Sequence, residues 1–356
     1  MKRLAYVDAL RGYAILLVIA AHAGLTFSDF SPMATTFLVQ TARGVQLFFV
    51  ASAMTLWMSW EARNDGAKAF YVRRFFRIAP MYYLCLPIFL ALSGLGPNMY
   101  APDGIGIRHI LMAATFTHGF MVDTITSVVP GSWSIADEMM FYGIFPLLMA
   151  IRVRISTAFV LVVLGTIACI VLTEFAIGTV AHMPDQAWRG AWANFYFLWF
   201  VNQFPCFLFG MLVARWISED RPTLWPPLLV IGSIALALLN AFQPHIPVWN
   251  RLSLPMQYGV IFALFALGLS KWQPTLLVNP VICWIGKVSY SGYLVHFLLI
   301  ALGSPFPRET YAIAFISLST LTIAISSVTY LLIEKPFIRI GHALAGAPAI
   351  RPAETA

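Results

Sequence analysis

The chain has 356 residues, of which 60% are hydrophobic and only 10% charged, with a net charge of +7 and a mean hydropathy of +0.79. Soluble chains carry roughly 25% charged residues, so this composition excludes a disordered chain, a coiled coil and an ordinary cytosolic enzyme. The sequence predicts an all-α polytopic membrane protein, and the basic excess reads as cytoplasmic-loop charge rather than as a nucleic-acid surface.

A bilayer core needs about 20 apolar residues per helix. About ten such runs follow one another, centred near Ile19, Phe49, Pro87, Phe145, Leu164, Phe204, Ile234, Ala263, Leu294 and Thr322. The second to fourth are interrupted by Arg43, Gln46, Pro80, Pro87, Asp137, Glu138 and Pro146. The N-terminal run resembles a cleavable signal peptide, but Asp8, Arg11 and His22 mark it as a retained helix. Residues 1–340 read as a single transmembrane domain, and 341–356 as a short flexible cytoplasmic tail. With the N-terminus inside, 17 Lys and Arg fall on the inner side. Arg43, Arg108, Arg189, Arg251 and Arg308 fall on the outer side. That bias places both termini in the cytoplasm. Cys85, Cys169, Cys206 and Cys283 lie in or beside apolar runs without metal-type spacing, so neither a disulfide nor a metal site is implied.

Ionisable groups inside spans are expensive and mark functional sites. In the first run, Arg11 and His22 are eleven residues apart and share a helix face, with Asp8 about 40° from His22. His22 stands about 16 Å above Arg11 and titrates in the right range to act as a base; a packing histidine is the plainer role. Arg73, Arg74 and Arg77 enter the third run from the cytoplasm. Arg74 and Arg77 are adjacent on a face, suited either to a phosphorylated ligand or to lipid headgroups.

The fourth run opens with Ser132, Trp133 and Ser134. Ser134 has the character of an N-cap with Asp137 or Glu138 in the first turn. Two consecutive acids face different directions, so Glu138 is expected to point inward with Tyr142 and to orient His22, bind acceptor hydroxyls or shuttle a proton. In the ninth run Ser289, Tyr293 and His296 form a polar stripe, the usual sign of interhelical hydrogen bonds. Trp188, Trp192, Trp199 and Trp249 suit an interfacial belt better than sugar stacking.

Together these segments resemble the integral membrane acyltransferase-3 family, from about Tyr6 to Arg339. They comprise Arg11 with His22, Arg74-Phe-Phe-Arg77, Ser132 to Tyr142 with Ile135 at a Leu position, Ser289 to His296, and Glu334-Lys-Pro336-Phe337. The resemblance implies O-acylation of cell-surface sugars, lipid-linked glycans or related acceptors, in the bacterial cytoplasmic (inner) membrane. It implies no tightly bound cofactor, with cytoplasmic acyl-CoA, usually acetyl-CoA, as co-substrate. Glycan or lipid-linked sugar acceptors follow as partners, together with other glycan-assembly proteins. Some members carry a fused extracytoplasmic esterase-like domain, which is not expected here.

On this reading His22 is the base and Glu138 its support. Arg11, Arg73, Arg74 and Arg77 hold the donor, while Asp8, Ser132, Trp133, Ser134, Tyr142, Ser289, Tyr293 and His296 serve the acceptor or the scaffold. It requires a cavity joining His22 to the arginines. A proton-coupled transporter of a polar or anionic solute is the competing expectation.

Overall fold

The computed structural model describes residues 4–24, 30–63, 65–151, 155–242, 249, 252–303 and 310–346. Lys2, Arg3, Arg152, Arg154, Arg251, Arg308 and Arg351, used above for orientation, lie outside the described residues.

Every described element in the core is helical, as a bilayer without water to satisfy peptide groups demands. In chain order the helices are α1 (Ala5–Gly24), α2 (Pro32–Thr41), α3 (Gly44–Arg63), α4 (Gly66–Ser93), α5 (Ile107–Ala114), α6 (Trp133–Ala150), α7 (Ile155–Ala181) and α8 (Gln186–Leu198). They continue with α9 (Phe200–Ser218), α10 (Pro226–Ala241), α11 (Leu254–Lys271), α12 (Pro280–Lys287), α13 (Ser289–Ala301), α14 (Tyr311–Thr329) and α15 (Lys335–Leu344). Each of the ten expected centres falls within one of them. Among the described residues, seven segments are long and apolar enough to cross a membrane, and α10 and α13 are shorter apolar helices. The Asp137–Glu138 pair lowers the hydropathy of α6, which is 18 residues long.

Two of the seven segments, Pro32–Arg63 and Gln186–Ser218, are interrupted midway, between α2 and α3 and between α8 and α9. Hydropathy adds across both halves and hides these breaks. A short π segment, Tyr330–Glu334, joins α14 to α15.

The α1 helix is the centre of the bundle. It is buried along most of its length and packs on α3, α12, α13 and α14, so it is an integral part of the fold. Small residues permit the closest approaches. A Cβ on Gly44 would lie 2.4 Å from the Ala14 carbonyl oxygen, and one on Gly210 2.4 Å from that of Val50. The first contact sets α3 against the middle of α1. Arg43, expected on the outer side, therefore sits level with the middle of α1 instead. Stacked rings, Phe49 on Phe207 at 4.5 Å and Phe141 on Phe207 at 4.3 Å, fill the space between α3, α6 and α9. Hydrophobic side chains such as Phe159, Leu164, Val171 and Phe175 of α7 point outward, as a lipid-facing helix requires.

The fourth run begins differently from expectation. Its helix starts at Trp133, so Ser134 is inside it and not its N-cap. The Ser134 hydroxyl donates back to the Gly131 carbonyl at 3.1 Å, because Gly131 turns the chain at φ +73° and brings that carbonyl within reach. At the other end, α15 runs past the expected start of the tail and ends at Leu344, with Gly341 packed against Phe76. Residues 347–356 of the tail lie outside the described residues.

Candidate active site

A cavity of about 70 Å³ lies between α1, α3, α4, α6 and the α12–α13 junction, lined by Arg11, Arg74, Arg77, Glu138 and Tyr142 among others. Helix periodicity explains the convergence. Arg74 and Arg77 are one turn apart on α4, and Glu138 and Tyr142 one turn apart on α6. Arg11 donates to Thr55 Oγ1 at 3.1 Å, and Thr55 is anchored on the Ala51 carbonyl at 2.7 Å. Ser52 donates to Glu138 Oε1 at 2.5 Å. The Arg74 guanidinium lies over the Phe70 ring, 5.8 Å from its centroid. Arg11 interacts electrostatically with Arg74, Arg77, Asp8 and Glu138. Three guanidinium groups and the Glu138 carboxylate line the cavity, with Asp8 and Glu334 acting on Arg11 and Arg77 from beside it; the guanidinium forks suit phosphate oxygens.

Ser134, Ser289 and Tyr293 also line this cavity. Tyr293 donates to the Gly131 carbonyl at 2.9 Å, tying α13 to the entry of α6. The cavity stops at Tyr293. Beyond it the rings continue, Tyr293 to His296 at 5.6 Å and His296 to His22 at 5.1 Å. His22 also packs edge-on against Phe297 at 4.6 Å. The imidazole of α1 thus faces the bundle, but the expected cavity joining it to the arginines is not formed: His22 and His296 lie beyond the lining of the cavity that holds Arg11, Arg74 and Arg77.

The two histidines are held alike. His22 Nδ1 lies 2.9 Å from the Val18 carbonyl and His296 Nδ1 3.0 Å from that of Gly292. A carbonyl only accepts, so Nδ1 carries the proton in both neutral rings and Nε2 keeps its lone pair. The ring of His22 is oriented by its own helix. Glu138, expected to orient it, is instead bonded to Ser52.

Other expected residues stand apart. Arg73 points away from the cavity and donates to Asp65 Oδ1 at 2.8 Å. Ser132 is buried and its carbonyl accepts from His118 Nε2 at 3.1 Å. Trp133 packs edge-on against Phe49 at 6.0 Å. Asp8 is buried on α1 within electrostatic range of Arg11.

Sequence reasoning missed Ser52, Thr55 and Tyr290. Ser52 and Thr55 are one turn apart on α3, a signal available in the sequence but masked by its small, apolar surroundings. Tyr290 lines the cavity and donates to the Ile78 carbonyl at 2.7 Å. Glu334 is buried and accepts from the Ser291 amide at 3.1 Å and from the Ser291 hydroxyl; it also interacts electrostatically with Arg77.

A multi-pass helical membrane protein with a buried cationic cavity, a carboxylate within it and an imidazole pair at its far end has the layout of a membrane-embedded group-transfer enzyme. Residues 4–331 match the acyltransferase-3 family, described as an acyltransferase domain, and the chain belongs to that family. It is therefore an acyltransferase that moves non-aminoacyl groups, and the transporter alternative gives way. The chain is 26% identical to the exopolysaccharide production protein ExoZ of Rhizobium meliloti (strain 1021), over 85% of this chain and 91% of that protein. It is 25% identical to the acyltransferase MdmB of Streptomyces mycarofaciens, over 95% and 92% respectively. A third relative, named "Putative O-acetyltransferase SACOL0978" in Staphylococcus aureus (strain COL), is 26% identical over 96% of this chain and 58% of its own length. No solved structure gives a significant match.

Proposed function

We propose that this acyltransferase takes an acyl group, acetyl in the simplest case, from cytoplasmic acyl-CoA and transfers it to a hydroxyl of an extracytoplasmic or lipid-linked sugar. The observation that carries the reading is the grouping of Arg11, Arg74 and Arg77 in one cavity whose far end abuts the His296–His22 pair. The arginines receive the phosphates of the donor. The cavity ends at Tyr293, short of the histidine pair, and the acceptor approaches that pair from the other side. The names of the relatives, an exopolysaccharide production protein and an O-acetyltransferase among them, favour a sugar acceptor and an acetyl group.

His22 Nε2 takes the proton of the acceptor hydroxyl as its oxygen attacks the thioester carbonyl. The C–S bond breaks, and the imidazolium returns the proton to the departing thiolate, leaving an ester and free CoA. In the second route Nε2 attacks the thioester carbonyl and the C–S bond breaks, giving acyl-His22 and CoA thiolate; the sugar hydroxyl then attacks the acyl carbon, its proton goes to the thiolate and the imidazole is released.

The test is incubation of the purified protein with acetyl-labelled acetyl-CoA and no acceptor. Slow hydrolysis to acetate and CoA is expected, from water occupying the acceptor position. Label retained on the protein selects the covalent route. No acetyl-CoA turnover, with or without glycan from the parent cell, would refute the donor assignment.

A further inference from the structure

Arg43 lies between α2 and α3 and has no part in the mechanism above. Its guanidinium lies 4.8 Å over the Phe197 ring, its Nε is buried without a hydrogen-bond partner, and among the described residues it forms no ion pair. The group acting on it electrostatically is the Tyr258 phenol, not a carboxylate. Its depth makes this costly. The 20 residues of α1 rise about 30 Å, the thickness of a bilayer core, and Gly44 abuts Ala14 at the midpoint of that rise. An arginine at such depth is retained for a counter-charge.

The backbone around it is built for the same sign. The α3 and α9 helices run side by side in the same direction from their breaks, joined by Gln46 Nε2 donating to Gln203 Oε1 at 2.7 Å and by Phe49 on Phe207. The start of α11 meets α9 where Cys206 Sγ donates to the Pro255 carbonyl at 3.2 Å. Three helix N-termini therefore converge near Arg43. Those of α9 and α11 lack a side-chain cap; Pro255 has no N–H and the Asn202, Gln203 and Gln257 amides are bonded within the first turns, which leaves the Phe200, Val201, Leu254 and Met256 amides for an anion. Discontinuous helices whose positive ends meet inside a membrane commonly receive anionic groups.

Beside the cation, Gln46 Oε1 and Asn202 Oδ1 are buried acceptors without partners. Asn202 donates its amide to the Phe197 carbonyl at 3.0 Å and, with Ser253, is a polar group in the mostly apolar lining of a cavity of about 290 Å³; Arg43 does not line that cavity and reaches it only across the Phe197 ring. Arg43 is nine residues from Ser52 along α3, about 13 Å, and Ser52 holds Glu138 in the donor cavity. A charged sugar fits both requirements, an oxyanion for Arg43 and hydroxyl donors for the two amide oxygens.

We propose that Arg43 and the uncapped starts of α9 and α11 bind the phosphate or carboxylate of an anionic sugar acceptor, placing its hydroxyls toward the donor cavity. The assignment rests on the acyl-transfer reading above for the identity of its ligand as acceptor. A bilayer headgroup is the other source of such an anion, and the depth of Arg43 disfavours it.

The experiment uses the full chain in phosphatidylcholine nanodiscs, titrated with CoA and then, with CoA saturating the arginine cavity, with glucose, glucose 1-phosphate and glucuronic acid. The charged sugars are expected to bind at least tenfold tighter than glucose, since the added contact is a charge-assisted hydrogen bond. Arg43→Gln is expected to remove that preference while CoA affinity stays within twofold, which also shows that the variant is folded. Should Arg43→Gln not fold, Arg43→Lys is expected to keep part of the preference. Equal binding of charged and neutral sugars by the wild type, or a preference that survives Arg43→Gln, overturns the proposal. So does an Arg43-dependent response to phosphatidylglycerol with none to the sugars, which would make this a headgroup site. Failure of the wild type to bind CoA would count against the donor assignment alone, because the comparison among sugars is read independently.

Discussion

His22→Ala is expected to lower acyl transfer by roughly a thousandfold, about 4 kcal/mol of barrier, while the protein inserts and binds CoA as before. The reactive atom is Nε2 of His22. Its Nδ1 is committed to the Val18 carbonyl, so Nε2 is the atom that can take the hydroxyl proton or attack the thioester. His22→Asn, which is smaller but polar, should be equally inactive, because an amide has no basic nitrogen. Loss of the ring opens space beside Phe297 and His296, so thermal stability is to be measured alongside. An unchanged CoA titration with lost turnover identifies a chemical role. If His22→Ala retains more than a tenth of the activity, the base lies elsewhere, and His296, with its buried and unpartnered Nε2, becomes the next group to test.

The double variant Arg74→Ala with Arg77→Ala is expected to weaken CoA binding by about a hundredfold, since each guanidinium contributes charge-assisted hydrogen bonds worth roughly 1.5–3 kcal/mol. The apparent affinity for the acceptor should change by less than about threefold, because neither arginine lies beside the histidine pair. Arg73→Ala is the internal control. Its guanidinium is tied to Asp65, so donor affinity should hold to within about threefold while the melting temperature falls. Isothermal titration with CoA and steady-state KM values for both substrates separate these outcomes. Comparable losses for Arg73→Ala would move the phosphate site to the cytoplasmic end of α4.

The contrast among these three arginines shows what the sequence reveals and what it hides. Helical period put Arg74 with Arg77 and Glu138 with Tyr142, and in both cases the structure places the pair on one cavity wall. The same period turns Arg73 about 100° from Arg74, and only the fold tells which of two neighbours faces inward. Bilayer physics made the helical class and the ten centres readable, because twenty apolar residues have few other uses. It could not reveal the breaks at Thr41–Arg43 and Leu198–Trp199, since apolar halves on either side sum to one long span. For the same reason Arg43 looked like an outer-loop residue.

Partnerships between distant helices were the least readable feature. Glu138 is one turn from Tyr142 in sequence, yet its hydrogen-bond partner is Ser52 on α3, and nothing in the local pattern of either segment names the other. The orientation of His22 by Val18 is a local i to i−4 contact, available to any histidine in a helix and so carrying no motif. His296 read as one member of a packing stripe, and the fold brings it to 5.1 Å from His22.

On the proposed function, the acyl group enters from the side of the arginines and leaves on the opposite side of the membrane. The direct measurement reconstitutes the protein in one orientation in sealed vesicles. Acetyl-labelled acetyl-CoA is supplied on the side bearing the α3–α4 connection at Asp65, and cell-envelope glycan on the other. Label is predicted to appear on the glycan across the intact bilayer, and to vanish when donor and acceptor compartments are exchanged. Transfer that proceeds only with both substrates on one side, or equally from either side, would show that the acyl group is not passed across the membrane in this direction.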